Sequence, residues 1–391
     1  MRFSLAAALP AEMTAPVVDW DLAVIGAGPA GSAAALAARS ARPDARVLLV
    51  DRAPVGRDKV CGDAIAPHAV AELETLGVDA VTAAEHVATV RLVAPNGESA
   101  RAVPSTPGYV IPRATFDARL VRAAVGAGAE FVEERVMSVE QSGASVVVND
   151  RWRAAVVIGA DGSNSVVRRL IGQPANHGRS LAVAIRGYAP TPKDSPRELT
   201  LRWDSHRAGG LCYAWAFPTA EGTTNVGYGM SSAAPDHDRA HLVRRMRELL
   251  PEFDLDRVPL TGHTLPLTIT RPDPAVGRVL LVGDAASLIN PFTGEGIYSA
   301  IASGALAGAA AIRTPDAAGP TYARALAARF RRQHRQTAAL YRIIDYPIVV
   351  NTAIRAARRD PRMFERLTDV GLGDSAFSIG DLARFGRHAF W

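Results

Sequence analysis

The residues best placed to do chemistry begin with three glycines, Gly26, Gly28 and Gly31, in the run GAGPAG. They follow Leu22, Ala23, Val24 and Ile25, which read as a buried parallel strand, and they precede an Ala-rich helical stretch. Gly26 permits a tight turn, Gly28 lets a pyrophosphate approach the backbone, and Gly31 lets helix pack on strand. The helix amino end then offers free N–H groups to phosphate. A second apolar run, RVLLV, ends at Asp51, twenty residues after Gly31, where a carboxylate can accept hydrogen bonds from a ribose hydroxyl. Glycine-rich turns also arise for structural reasons alone. Strand, helix and acid together point to an adenine dinucleotide, with Ala30 inside the fingerprint and Arg52 beside the acid counted among the binding residues.

Other reactive groups follow similar strands. The loop RDKVCGD comes directly after the ribose acid and can fold back over a bound cofactor, which makes Lys59, Cys61 and Gly62 candidates for its reactive end. Taken alone, Cys61 reads as a small buried apolar residue. Arg113 stands where a strand passes into a helix and suits an anion such as pyrophosphate, although surface ion pairing is an equally ordinary task for arginine. VVIGAD ends in Asp161, followed by Gly162, and VLLVG runs into Asp284; open α/β sheets bind ligands outside such carboxyl ends. PFTGEG then leads into a helix of small residues beginning near Glu295, so Pro291, Gly294, Gly296 and Ile297 surround a second electropositive helix terminus. An isoalloxazine placed there would be stabilised as it gains negative charge on reduction. Tyr213, Trp215 and Phe217 alternate, so their rings share one face of a strand, as core or as the wall of a ligand pocket. Neither cysteine, Cys61 nor Cys212, has a neighbour at metal-ligand spacing, and no metal is expected.

Positioning these groups takes several elements. At 391 residues the chain suggests two or three domains. Its 48% hydrophobic and 21% charged residues are a globular composition, and no apolar run reaches the roughly 18 to 20 residues that span a bilayer. The net charge of +5, with many arginines in the last 70 residues, marks solvated helix faces or attraction to anionic lipid or an acidic partner. No nucleic-acid module accompanies that charge. A reduced, cytoplasmic setting is expected, peripheral on the inner face of the membrane if lipid is the partner. Residues 1–18 read as a disordered lead-in upstream of a start at Met13, poorly matched to a secretory signal. Further on, the sequence predicts a hairpin about Asn96-Gly97 and another over about 130–149, then a helix over 163–171. An antiparallel sheet over 180–267, interrupted by a helix near 237–250, and basic amphipathic helices beyond Thr314 complete the chain. The fold class is therefore α/β, with three parts: a discontinuous Rossmann-like nucleotide domain (1–85, 105–179 and 268–315), a mostly antiparallel sheet domain for substrate (86–104 and 180–267), and a C-terminal helical region (316–391).

The combined pattern resembles the flavoprotein family that contains the geranylgeranyl reductases, built on the same fold as para-hydroxybenzoate hydroxylase. The likeness spans about residues 20–370 and rests on GAGPAG with Asp51, RDKVCGD, GADGSNSVVR and LVGDAASLINPFTGEGI. A fifth block, YAWAFPTAEGTTNVGYG, matches the aromatic-Pro run and following GxG that mark the prenyl reductases, through Tyr213, Trp215, Phe217, Pro218, Gly227 and Gly229. Bacterial relatives that saturate one isoprene unit of menaquinone are especially similar in RDKVCGD and the basic helices. The resemblance implies FAD, with its pyrophosphate on Gly26, Gly28 and Gly31, its ribose on Asp51, and further parts on Arg113, Asp161 and Asp284. It also places Pro291, Gly294 and Gly296 beside the flavin ring, and Cys61, Tyr213 and Trp215 about its reactive face and the prenyl channel. The activity it implies is saturation of an isoprenoid double bond. One complete dinucleotide fingerprint leaves NAD(P)H docking transiently, or a reduced protein such as ferredoxin, as electron donor. A flavin monooxygenase or halogenase on the same fold is the rival enzyme, and a prenyl-lipid carrier the rival without catalysis.

Overall fold

A computed structural model describes residues 18–106, 108–205, 210 and 212–390. The lead-in expected over residues 1–18 lies outside the described residues except for Val18, which opens the first strand. That strand, Val18–Ile25, is buried from Leu22 to Ile25, and every residue of Val47–Asp51 beside it is buried as well. Unbroken apolar runs like these belong to parallel strands covered on both faces. Five strands lie parallel in the order Val279–Leu281, Trp152–Gly159, Val18–Ile25, Val47–Asp51, Glu130–Glu133. An antiparallel hairpin, Val139–Ser142 with Ser145–Val148, adds to Trp152–Gly159. The hairpin expected over 130–149 is thus shorter at its start. Glu130–Glu133 instead closes the parallel edge, where its half-exposed EFVE carries no one-sided pattern to reveal it.

The second sheet has seven strands, in the order Thr261–Pro266, Leu181–Pro190, Thr223–Ser231, Cys212–Pro218, Glu198–Trp203, Thr89–Val93, Ser99–Ala102. All neighbours are antiparallel except Glu198–Trp203 with Thr89–Val93. The fold class read from the sequence is therefore the one observed: a nucleotide-type parallel sheet, a largely antiparallel sheet and C-terminal helices.

Helices α1 (Pro29–Ala41), α2 (Pro67–Thr75), α3 (Arg113–Gly126) and α4 (Val166–Leu170) precede α5 (Arg239–Leu249) and α6 (Ile297–Arg313). The C-terminal helices are α7 (Ala318–Leu340), α8 (Pro347–Arg359), α9 (Pro361–Leu372) and α10 (Ile379–Phe390). Two starts move from expectation. α4 begins at Val166 because Ser165 caps it, accepting from the Arg168 N–H, and α6 begins at Ile297 with Gly296 as its cap. α1 and α6 lie nearly in backbone contact, since a Cβ at Gly304 or Gly308 would stand 2.1 Å from the carbonyl oxygen of Ala30 or Ala34. The antiparallel sheet is covered on both sides. α5 buries Leu242 and Met246 against Ala214, Ala216 and Tyr228, while α8 and α9 bring Val350, Ile354 and Phe364 to the face of Tyr213, Trp215 and Phe217.

Candidate active site

A cavity of about 610 Å³ lies between that second face, the 59–62 loop, the start of α6 and the C-terminal helices. Its size is that of a pocket for a sizeable organic ligand. One end gathers Lys59, Arg113, His263, Asp284 and Glu295, His68 and Asp369 line the cavity from α2 and α9, and most of the remainder is walled by aliphatic and aromatic side chains from Val90 and Leu199 to Ile344 and Phe385.

The alternation of Tyr213, Trp215 and Phe217 puts all three rings on this wall, while Cys212, Ala214 and Ala216 turn to the core under α5. The Tyr213 and Trp215 rings are tilted 60° to each other at 6.0 Å between centroids, and the Tyr213 hydroxyl donates to the Thr293 carbonyl. Glycines make room for the rings. A Cβ at Gly227 would fall 2.1 Å from the Trp215 ring, and one at Gly62 would fall 3.1 Å from Phe217. Gly229 lines the cavity next to Trp215, and Pro218 closes the strand, buried, away from it.

Behind the rings stands a hub that the sequence reading did not single out. Asn225, fully buried, accepts from Trp215 Nε1 at 2.9 Å and donates Nδ2–H to the Cys61 carbonyl at 2.8 Å and to Asp63 Oδ2 at 2.7 Å. The Tyr188 hydroxyl donates to the same Asp63 oxygen. One amide therefore ties the loop bearing Cys61 to the wall bearing Trp215. Burial pushes the Asp63 carboxyl up to about 6, against the pull of its hydrogen bonds from Tyr188 and Asn225.

At the polar end, Lys59 Nζ pairs with Asp284 Oδ2 at 3.1 Å. Burial works to raise the Asp284 carboxyl, but the Lys59 ammonium together with His263 and Arg113 outweighs it and holds the group below its ordinary value. Arg113 forms a bidentate pair with Asp117, both N···O distances 2.7 Å, and its guanidinium also reaches Cys61, whose thiol is pushed up by burial. His263 Nε2 meets Ser163 Oγ at 3.0 Å; burial and then Lys59 bring its ring down to about 4, so it is neutral at physiological pH. His263 and Glu295 are also additions to the sequence reading. Glu295 was legible only as the one acid between two glycines already chosen.

The other fingerprint residues gather outside the cavity, at the start of α1. Gly26 has φ +106, and a Cβ there would strike Ala160 O at 2.3 Å; one at Gly31 would strike Gly26 O at 1.8 Å. Gly28 has open space at its Cβ position and caps α1 with no side chain, and Ala30 packs below it in the core. Asp51 Oδ2 accepts from the Ala27 N–H at 2.8 Å, which fixes the acid against the glycine turn, whereas Arg52 points to solvent. The Asp161 carboxylate turns back on its own loop, accepting from Ser165 Oγ and the Val166 and Val167 N–H groups, and Gly162 (φ +82) makes the bend near Lys59. Gly294, Gly296 and Ile297 line the cavity, and Pro291 is buried beside them.

Residues 21–391 match the family model described as lycopene cyclase protein. Over 308 residues the chain is 33% identical to a menaquinone reductase of Mycolicibacterium smegmatis, a match covering 73% of this chain and 75% of that one. It is likewise 33% identical over 311 residues to a digeranylgeranylglycerophospholipid reductase of Methanopyrus kandleri, covering 74% and 76%. The chain belongs to the geranylgeranyl reductase family of FAD-dependent oxidoreductases. A solved geranylgeranyl bacteriochlorophyll reductase-like protein from Thermoplasma acidophilum shares the fold, with TM-score 0.77 and 23% identity over 95% of this chain and 96% of that one.

The residues present fit the cofactor of this reductase family. The start of α1 is capped by glycine rather than by a side chain, and α6 begins at a glycine beside the Glu295 carboxyl, which accepts from its Tyr298 N–H. The open Cβ position at Gly28 is the approach a pyrophosphate needs, and Asp51 is anchored beside it.

Proposed function

We propose that the protein reduces carbon–carbon double bonds in the isoprenoid chain of a lipid. The observation that carries this reading is the cavity of about 610 Å³, whose polar end holds Cys61, Tyr213 and Trp215 and whose apolar length can take a polyprenyl chain. FAD, when bound, supplies hydride chemistry that side chains cannot. Gly26, Gly28 and Gly31 hold its pyrophosphate, Asp51 its ribose, Arg113, Asp161 and Asp284 further parts, and Gly294 and Gly296 border its ring. The chain's own residues do the rest. The apolar wall excludes water and orients the alkene, while the faces of Trp215 and Tyr213 stabilise positive charge on the substrate carbon by about 1–2 kcal/mol each. Electrons come from NAD(P)H or a reduced protein such as ferredoxin, because one dinucleotide fingerprint supports no second resident nucleotide. The lipid substrate brings a cytoplasmic enzyme against the inner, anionic face of a membrane.

The test is anaerobic turnover of the FAD-loaded protein with geranylgeranyl lipids, read by mass spectrometry. The lipid should gain one H2 per bond reduced. Trp215→Ala, with FAD still bound, should lose about tenfold or more in rate; an unchanged rate removes Trp215 from the reaction. A need for oxygen would favour a monooxygenase or halogenase instead. Conversion without change of mass would favour cyclisation, and a colourless protein that retains prenyl lipid would favour a carrier.

A further inference from the structure

Hydride addition to an isolated alkene also needs a proton, and the polar end of the cavity has several groups that could hold one. Lys59 is committed to Asp284, and Arg113 to Asp117. The Tyr213 hydroxyl already donates to Thr293 O, and burial makes both that phenol and the Cys61 thiol weaker acids than usual. His263 is a neutral imidazole held by Ser163. Glu295 differs from all of these. It lines the same wall, and among the described residues no cation pairs with it; its protein partners are the N–H groups of Tyr298, at 2.7 Å, and Ile297. A carboxyl facing an apolar cavity without a cation is kept neutral by the cost of desolvating its anion.

From this geometry we infer that the Glu295 carboxyl is the proton donor to the alkene, an inference that rests on the reductase reading. The Glu295 O–H bond breaks and its proton forms a C–H bond at one alkene carbon. The other carbon receives hydride, and with it both electrons, from reduced flavin. The carboxylate then recovers a proton from water. Acid strength agrees: burial, offset by the two amides and helped by the nearby Asp284 carboxylate, brings Glu295 up to about 8, close to the match that general acids need at neutral pH.

Glu295→Gln keeps the size and the amide contacts and removes the proton. The holoenzyme should retain FAD and still be bleached by dithionite. Anaerobic reoxidation of its reduced flavin by geranylgeranyl diphosphate should slow by about 100-fold or more, and Glu295→Asp should restore part of the rate. In the wild type, infrared difference spectra should show a protonated-carboxyl band at pH 7 that titrates near 8 and is missing in Glu295→Gln. A Gln variant reoxidised at the wild-type rate, or a wild-type carboxyl already ionised at pH 6, overturns the assignment. A wild-type flavin that no prenyl lipid reoxidises overturns the reductase reading, and the donor role with it.

Discussion

Asp63 is held where a carboxylate is costly. It is fully buried with φ +64, and Oδ1 has no hydrogen-bond partner, while Oδ2 takes both the Tyr188 and the Asn225 donors. Its folded value, about 6, lies above the ordinary 3.8. Below pH 3.8 the acid is neutral in folded and unfolded chains alike, and its stabilising contribution is complete. As pH rises through 3.8 to about 6 the unfolded chain ionises first, and that contribution is lost, on the order of 2–3 kcal/mol. Asparagine tolerates the left-handed conformation and keeps an acceptor for both donors. The difference in melting temperature between wild type and Asp63→Asn should therefore shift in favour of the variant between pH 4 and pH 7. Parallel melting curves across that range would show that Asp63 does not titrate in the fold. The hub was hidden in the sequence because it is not local: Asn225 and Cys61 are 164 positions apart, and no spacing rule joins an amide in one strand to a carbonyl in a loop of the other half. The ring wall was legible, because alternation in a strand decides which side chains share a face.

Elements whose sequence carries a physical pattern were the readable ones. The doubly buried strands before Gly26 and Asp161, the Asn96-Gly97 hairpin and the three-and-four spacing of the last helices each declare themselves locally. What those last helices cover was not declared, since an amphipathic face names no partner. The close approach of α1 on α6 depends on glycine. A Cβ at Gly304 would sit 2.1 Å from a backbone oxygen, which cannot swing aside as a side chain would. Both helices begin at the candidate cofactor site, so forcing them apart moves two sets of amides at once. Gly304→Ala should cost about 1–3 kcal/mol of stability and lower the FAD content of the purified protein. Gly126→Ala, at the end of α3 with nothing within 4 Å of the new methyl, is the control and should leave both unchanged. Equal melting temperature and flavin content in the two variants would mean that the helices can part without disturbing the site.

On the scale of the whole molecule, the cavity reaches the surface where the exposed apolar residues collect. Ile343, Ile348 and Leu382 line the cavity and are also 42%, 66% and 46% exposed. Tyr346 and Ile379 extend the same apolar surface at the α7–α8 corner and the start of α10, and exposed Arg342 and Arg387 stand beside it in the chain. Among the described residues no helix is long and apolar enough to cross a membrane. A mouth with greasy lips and basic flanks suits an anionic lipid surface, to which each nearby Lys or Arg adds about 1 kcal/mol at low salt. A prenyl chain could then enter without crossing water. The full-length holoprotein should co-sediment with vesicles containing phosphatidylglycerol and much less with phosphatidylcholine alone, and added salt should release it. Tyr346→Glu combined with Ile379→Glu, neither of which lines the cavity, should weaken vesicle binding at least tenfold while reduction of a detergent-dispersed geranylgeranyl lipid continues at the wild-type rate. If the double variant bound vesicles as well as wild type, or if neutral and anionic vesicles captured the protein equally, the mouth would open to water and the substrate would have to be delivered by a carrier.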